Sequence, residues 1–282
     1  MTFGPTGPAR VDAHQHFWRL TRGDYGWLTR DQAAIYRDFG PADLAPLLAR
    51  TGVTRTVLVQ AAPTVAETRF LLATAATTGF VAGVVGWAPL DAPDAPGILA
   101  DLARDPLLKG VRPMLHDLPD ADWVLRPALA PALRAVVELG LAFDALVRPA
   151  HLRSLLMLLE RHPDLRVVID HAAKPEIAAD RVEPWARDMR ALATHPGVLV
   201  KLSGLVTEAG SDWSIDELRP YADHVLEHFG PARLMFGSDW PVVTIMASYE
   251  AWVAVAEALL AGLDAPARAG VFGGNATRFY RL

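Results

Sequence analysis

The chain has 282 residues, 51% hydrophobic and 21% charged, with a formal net charge of −5 at pH 7. That length and apolar content suit one large buried core, while mild negative charge without a basic block argues against nucleic acid or an anionic membrane as a partner. Cysteine is absent, which excludes disulfides, thiolate metal sites and a cysteine nucleophile.

The chain opens with MTFGPTGPAR, which lacks the apolar core of a leader peptide. No apolar run reaches the roughly 18 residues of a membrane helix. A soluble, cytoplasmic protein is the expectation. Arg10–His14 then reads as a short buried strand. His14 and His16 stand at its C-terminal end, two residues apart. Side chains alternate along a strand, so the two imidazoles share a side. The next stretch, Phe17–Gly40, is long for a connection and carries Phe17, Trp18, Tyr25, Trp27, Tyr36 and Phe39. Such a loop either covers a ligand or packs onto a rim.

Beyond it, short apolar runs recur about every thirty residues and alternate with amphipathic segments. The runs are Thr56–Gln60, Phe80–Trp87, Leu108–Met114, Leu141–Val147, Arg166–His171, Gly197–Gly204 and Arg233–Asp239. Several are rich in Val, which suits strands buried on both faces. The helical segments are Pro41–Arg50, Glu67–Thr78, Ala92–Arg104, Leu125–Leu139, Pro149–Arg161, Glu183–Thr194, Ile215–Phe229 and Ala247–Leu260. Most stop at Gly or at His-Pro, as helices do. Eight strands alternating with helices in this length predict an α/β fold, a closed (β/α)8 TIM barrel, as a single domain over 1–282. An open doubly wound sheet would carry a Gly-rich phosphate loop after an early strand, and HQHFW stands there instead.

In such barrels the site lies at the C-terminal strand ends. Those ends offer His14 and His16, Gln60, Trp87, Arg112, Asp144, His171 with Lys174 beyond it, Lys201 or Ser203, and Asp239. His14, His16, His171 and Asp239 make a plausible first shell for one divalent cation such as Zn²⁺, with water in an open position. The alternative is four separately satisfied polar residues. Arg112 suits a carbonyl or carboxylate, or braces the barrel. Lys174 either meets substrate or forms a rim ion pair. Trp18, Trp27, Trp87 and Trp240 offer apolar faces to a ligand. Asp12 and Asp170 are left outside the site. His151, His162, His195, His224 and His228 are assigned to helix ends and surfaces, and His116, near the fourth strand end, to a loop, with a substrate contact as the lesser alternative.

These residues carry a family resemblance. VDAHQHFW, DYGWL, TVLVQAAPTVAET, GWAPLDAP, LKGVRP, LAFDALVRPAHL, VVIDHAAKP, VKLSGLVTEA, RLMFGSDWPV and FGGNATRFYRL run in order from Val11 to Leu282. The chain resembles the amidohydrolase superfamily (amidohydrolase-related family 2), and within it the sugar-lactone hydrolases of the L-fuconolactonase and L-rhamnonolactonase type. The resemblance implies a (β/α)8 barrel that hydrolyses a lactone ester. It carries over His14, His16, His171 and Asp239 as the active-site set. For a small-molecule sugar lactone, the strand ends and the long loop offer Arg112, Lys174, Trp27, Trp87 and Asp144 as binding residues. Arg112 at the fourth strand end and Asp144 at the fifth depart from two-metal members. One metal ion, or none, is therefore expected. Asp239 would accept the proton of the attacking water, and three histidines would hold zinc or donate to the oxyanion. A metal-dependent decarboxylase and a non-catalytic sugar-binding barrel are the alternatives. A homo-oligomer is left open.

Overall fold

The structure, a computed structural model, describes residues 9–282. The opening scanned for a leader therefore lies, over 1–8, outside the described residues. In chain order the elements are β1 (Arg10–Gln15), α1 (Pro41–Thr51), β2 (Val53–Val59), α2 (Val65–Ala76), β3 (Val81–Gly86), α3 (Ala95–Leu102), β4 (Leu108–Val111) and α4 (Ala130–Glu138). There follow β5 (Ala142–Ala145), α5 (Leu152–Arg161), β6 (Val167–Ile169), α6 (Trp185–Ala193), β7 (Val198–Leu202), α7 (Leu205–Glu208) and α8 (Ile215–Phe229). The chain finishes with β8 (Leu234–Phe236), α9 (Tyr249–Leu259), α10 (Ala265–Ala269) and α11 (Asn275–Tyr280). Among the described residues, no helix is long and apolar enough to cross a membrane.

The eight strands form one parallel sheet in sequence order. Its two edges meet just past the strand ends. Asp239 N donates to His14 O at 2.8 Å, and His16 N donates to Trp240 O at 2.7 Å. The fold is therefore the expected (β/α)8 barrel. Its closing seam joins the residues that bear His14, His16 and Asp239.

Two apolar layers hold it together. Val11, Ala13, Val57, Val59, Val85, Val168 and Met235 fill the interior. Larger side chains, among them Leu44, Leu71, Trp185 and Trp252, pack the helices onto the outer face. The bottom of the interior is closed by Phe279 and Tyr280 of α11. No helix was expected beyond Leu260. Asp264 does cap α10 by accepting from Ala267 N at 2.8 Å, with Pro266 following, which is a readable start signal.

Other differences have local causes. The helix expected over Leu125–Leu139 begins only at Ala130. Arg126 is extended (φ −62, ψ 134) ahead of Pro127, so the preceding turn cannot run on. The sixth strand stops at Ile169 because the chain turns left-handed immediately after Asp170. In β1 the register is irregular between Asp12 and Gln15. A bulge re-aims side chains. Asp12 accepts from His14 N, Ser238 N and the Tyr249 hydroxyl of α9, while His14 turns to the barrel axis.

The long loop after β1 is latched by one buried carboxylate. Glu67 of α2 accepts from the Tyr25 hydroxyl at 2.8 Å and from Ala61 N at 3.2 Å, with Arg22 Nε at 3.3 Å. Trp27 Nε1 donates to Ala61 O at 2.7 Å. Of the aromatics, Trp18 and Phe39 pack the rim, and Trp27 faces the mouth.

Burial raises the Glu67 carboxyl to about 7 and that of Asp12 to about 6. A carboxyl with a raised pKa binds its proton more tightly folded than unfolded. Its stabilising contribution is full at low pH and is lost as pH rises through the folded value. Glu67→Gln cannot ionise. Its melting temperature relative to wild type should climb as pH rises from 4.5 to about 7, then level off. The climb should be a few degrees, at about 2–4 °C per kcal/mol. Thermal melts of both proteins across that range test this, and parallel curves would refute it.

Candidate active site

Three strand ends bring four polar groups to one point. His14 and His16 come from β1, His171 follows β6, and Asp239 follows β8. Both later turns are left-handed. His171, Ala172, Ala173 and Lys174 have φ of 53, 48, 64 and 50, and Asp239 has φ 58. A left-handed residue with a Cβ costs about 1–2 kcal/mol, so such a run persists only where neighbours dictate it. Here they do. Trp185 Nε1 donates to Ala172 O at 2.7 Å, and Lys174 N to His171 O at 2.8 Å. Ser203 Oγ lies 2.9 Å from His171 Nδ1. Gly204 presses its bare Cα against the His171 ring.

Asp239 Oδ1 lies 3.2 Å from His16 Nε2, 3.7 Å from His14 Nε2 and 3.9 Å from His171 Nε2. The two Nε2 atoms of His14 and His16 are 3.2 Å apart. His16 Nδ1 is 2.8 Å from Val59 O, so that nitrogen carries the proton and donates. Its Nε2 then turns a lone pair toward a carboxylate oxygen and a second imidazole. Such a meeting of acceptors calls for a positive charge between them.

A divalent cation answers that need. Zinc–nitrogen and zinc–oxygen bonds of about 2.0–2.1 Å place tetrahedral ligand atoms about 3.3–3.4 Å apart. The distances among His14, His16 and Asp239 bracket that spacing, and His171 closes the fourth side more loosely. Burial holds the imidazoles of His14 and His171 well below their usual range, in the neutral form a ligand needs. Burial alone would raise Asp239. Attraction from His171 and the His16 hydrogen bond outweigh it and hold Asp239 at about 2. The donor set fits a single divalent ion. A second cluster, His14 with Asp170 and His171, is also compact. The Lys201 ammonium already fills it.

Lys201 is the group whose role was left undecided at the seventh strand end. Its side chain is fully buried beneath the histidines. Its Nζ lies 2.6 Å from Asp144 Oδ2, 2.9 Å from Asp170 Oδ1 and 3.1 Å from His14 Nδ1. Tyr280 of α11 donates to Asp144 Oδ2 at 2.7 Å. Two expectations change. Asp170, left outside, is in this layer 3.4 Å from His14 Nδ1 and from Arg112 Nη1. Burial would raise its carboxyl, but Lys201, His14 and Arg112 hold it well below the usual range. Asp144, expected to meet substrate, is sealed below the cavity by Lys201 and Tyr280. It was misplaced because a strand end fixes depth only to within a residue or two.

Above this layer opens a cavity of about 290 Å³. His16, His171 and Asp239 form its floor, and Arg112, Lys174 and Trp27 reach its walls. Arg112 is braced by the Gln60 carbonyl and lies 3.3 Å from His14 Nε2. Lys174 forms the rim ion pair, with Glu208 at 2.6 Å, and lines the cavity. Trp87 does not line the cavity. Its backbone is pinned to Thr68 Oγ1 by bonds of 2.7 and 2.8 Å, and the residue is half-buried. Arg148 and Asp117, which the strand-end reading does not single out, line it, and so does His116, which that reading places near the fourth strand end. His116 lies in the loop after β4 and packs 3.2 Å from Asp117 at the mouth. Arg148 follows the fifth strand and was open to the same strand-end argument. His151 and His224 take backbone partners, as expected.

The amidohydrolase family model matches residues 11–282. An L-fucono-1,5-lactonase of Burkholderia ambifaria is 53% identical over 277 residues, covering 97% of this chain and 96% of that one. An L-fucono-1,5-lactonase of Burkholderia multivorans is 36% identical, covering 98% and 97%. A Burkholderia multivorans amidohydrolase crystallised with bound zinc superposes with a TM-score of 0.92 at 36% identity, covering 97% of this chain and 99% of that one.

Gly204 offers a direct test of the packing. It has φ +64, and a Cβ there would stand 2.7–2.9 Å from the His171 ring. Gly204→Ala should cost about 1–2 kcal/mol from the dihedral alone, or about 2–4 °C of melting temperature per kcal/mol. A crystal structure of the variant should show the His171 ring displaced from Asp239. An unmoved ring with unchanged melting would refute the argument.

Proposed function

This chain belongs to the amidohydrolase family, and from that premise we propose that it opens an aldonolactone, of the L-fucono-1,5-lactone kind, to its aldonic acid. The observation that carries the proposal is Asp239. It is an ionised carboxylate on the floor of a pocket, ringed by three buried imidazoles and faced by an arginine. A cavity of about 290 Å³ suits a single sugar ring, near the lower end of the roughly 300–1,000 Å³ of ligand pockets. The full-length likeness to two L-fucono-1,5-lactonases supports the substrate class. The decarboxylase and sugar-binding alternatives have no such support.

The chemistry follows from the arrangement. Water attacks the lactone carbonyl and gives its proton to Asp239. The carbonyl oxygen becomes an oxyanion as its carbon turns tetrahedral. Arg112 Nη1, beside His14 Nε2, is placed to donate to it. The ring carbon–oxygen bond then breaks, and the proton passes to the leaving hydroxyl. Net hydrolysis releases one proton, because the product acid ionises near neutral pH. Lys174 and the Trp27 ring are placed to take the sugar hydroxyls and a sugar face. We assign the cation as zinc, held by His14, His16, Asp239 and, more loosely, His171. When bound, it supplies Lewis acidity at the carbonyl. A cytoplasmic location and a homo-oligomer are compatible with this reading.

Two measurements test it. Purified protein supplied with L-fucono-1,5-lactone and a pH indicator should release protons at an enzymatic rate, and no carbon dioxide. Asp239→Asn keeps the shape and loses the base, so turnover should fall by roughly 10²–10⁴. Near-normal turnover in that variant would remove Asp239 from the mechanism. Separately, elemental analysis should find at most about one divalent ion per chain, since the donors make one small first shell. Two tightly held ions would contradict the single-ion assignment.

A further inference from the structure

One peptide group stands between the cavity and α2, and both of its polar ends are taken. It joins Gln60 to Ala61, just past β2. Its carbonyl, Gln60 O, accepts from Arg112 Nη2. That is the tightest side-chain contact of the guanidinium. Arg112 Nη1 lies 3.3 Å from His14 Nε2 and 3.4 Å from Asp170 Oδ2, and Nε has no partner among the described residues. The amide of the same peptide, Ala61 N, donates to Glu67 Oε1 at 3.2 Å. The next carbonyl, Ala61 O, accepts from Trp27 Nε1 at 2.7 Å. Arg112, Ala61 and Trp27 line the cavity, whereas Glu67 is fully buried behind them.

We propose, resting on the lactonase reading, that Glu67 is a positioning residue for the reaction: by holding the Ala61 amide it orients two consecutive carbonyls, one bracing Arg112 at the oxyanion and the other bracing Trp27 at the sugar face. A peptide is planar, so fixing its N–H fixes the direction of its C=O. The last ladder bond of β2 is Gln60 N to Val85 O at 2.8 Å. Beyond it, among the described residues, Glu67 alone takes the Ala61 amide. Without Glu67 a buried N–H is left unpaired, and the plane must turn or admit water to satisfy it. Either response moves the carbonyls that hold Arg112 and Trp27.

Glu67 is itself firmly placed. It lies in the first turn of α2, its amide donates to Thr64 Oγ1 at 3.0 Å, and its Oε2 accepts from the Tyr25 hydroxyl at 2.8 Å. Thr64 Oγ1 in turn donates to Asp24 Oδ2 at 2.9 Å. Oε1 is thereby left facing Ala61 N. A proton on Oε2 turns the Tyr25 oxygen into the acceptor and leaves Oε1 in place. The acceptor at Ala61 therefore serves in either form of the carboxyl. A chain of three hydrogen bonds thus runs from Tyr25, through Glu67 and one peptide, to the guanidinium.

Kinetics on L-fucono-1,5-lactone test this, at a temperature where circular dichroism shows each variant folded. Glu67→Met removes both acceptor oxygens at similar side-chain length. Its kcat should fall and its KM rise, lowering kcat/KM by roughly 10–100-fold, as for a small misplacement caused far from the chemistry. Glu67→Gln keeps an acceptor for Ala61 N and a donor for the Tyr25 oxygen, so it should restore both constants. Trp27→Phe keeps an aromatic ring and loses the bond to Ala61 O, so it should act on KM and not on kcat. Added to Glu67→Met, it should raise KM no further, because both changes break one contact. Three results overturn the proposal: a Glu67→Met enzyme with lowered melting temperature but unchanged kcat and KM, a Glu67→Gln enzyme as impaired as Glu67→Met, or KM effects that multiply. If Glu67→Met does not fold, Glu67→Asp, too short to reach both Ala61 N and Tyr25, is judged by the same criteria. The Trp27 indole N–H signal in a ¹H–¹⁵N spectrum, assigned by its loss in Trp27→Phe, reads the chain without substrate. It should move upfield in Glu67→Met and stay in place in Glu67→Gln, and a signal unmoved in Glu67→Met overturns the proposal. Absence of lactone turnover in wild type would sink the lactonase reading, and the indole signal alone would then decide whether Glu67 positions Trp27.

Discussion

The Lys201 ammonium is enclosed on all sides at the centre of the barrel, and the active-site floor rests on it. Removing one such charge from water costs several kcal/mol even after relaxation. Here Lys201 and Arg112 are offset by Asp144 and Asp170, two charges of each sign within one layer. Loss of any single member would leave an unpaired buried charge, which costs about 3–5 kcal/mol. The layer is therefore all-or-none. Above it lie the histidines, which touch Lys201 through His14. Below it lies Tyr280, which touches Asp144. The chain's last helix and its first strand, far apart in sequence, are thus joined through one lysine.

The second constraint is conformational. Four consecutive non-glycine residues after β6 are left-handed, at about 1–2 kcal/mol each. The return is placement. The reversal drops His171 against Gly204 and Ser203, points its Nε2 to Asp239, and sends Lys174 up to the cavity wall within three residues. A regular strand continuing past Ile169 would alternate sides and could not direct both groups into one pocket. The same logic applies at Asp239, where a single left-handed residue lets the carboxylate face β1 across the closing seam. Strain at these strand ends and convergence of the site are one structural fact.

The barrel was legible because its evidence is periodic. Val-rich runs, glycine stops and spacing all agree, and each survives an error of two residues at a boundary. His14, His16, His171 and Asp239 were legible because they end strands, and strand ends in a barrel converge. Depth was not legible. Asp144 and Trp87 end strands as well, yet one lies beneath the floor and the other outside the wall. Strand register and a local pin to Thr68 decide that, and neither is written in one strand's own residues. Asp170 was excluded by assuming a regular strand, which the left-handed turn breaks. Tyr280 lies more than a hundred residues from Asp144, and no local pattern announces a long-range hydrogen bond to a plug.

Chemistry and selectivity occupy different parts of the molecule. The floor of the cavity is built from strand ends and sealed by the buried charge layer, so it has little freedom to vary. Its walls come from loops: Trp27 from the long first connection, His116 and Asp117 after β4, Arg148 after β5, Lys174 after β6. These groups are held by single local contacts, such as Trp27 to the Ala61 carbonyl and Lys174 to Glu208. Exchange of one wall residue disturbs one contact and leaves the floor intact. Exchange of a floor residue disturbs the whole layer down to the last helix. The wall is therefore the part of the cavity free to vary. The first loop is the part of it most firmly fixed, because Glu67 ties its Tyr25 and Arg22 side chains to the second strand and helix. Trp27, with its Nε1 donating to the Ala61 carbonyl, stands in a fixed position at the mouth, and such preorganisation lowers the ordering cost of any binding there.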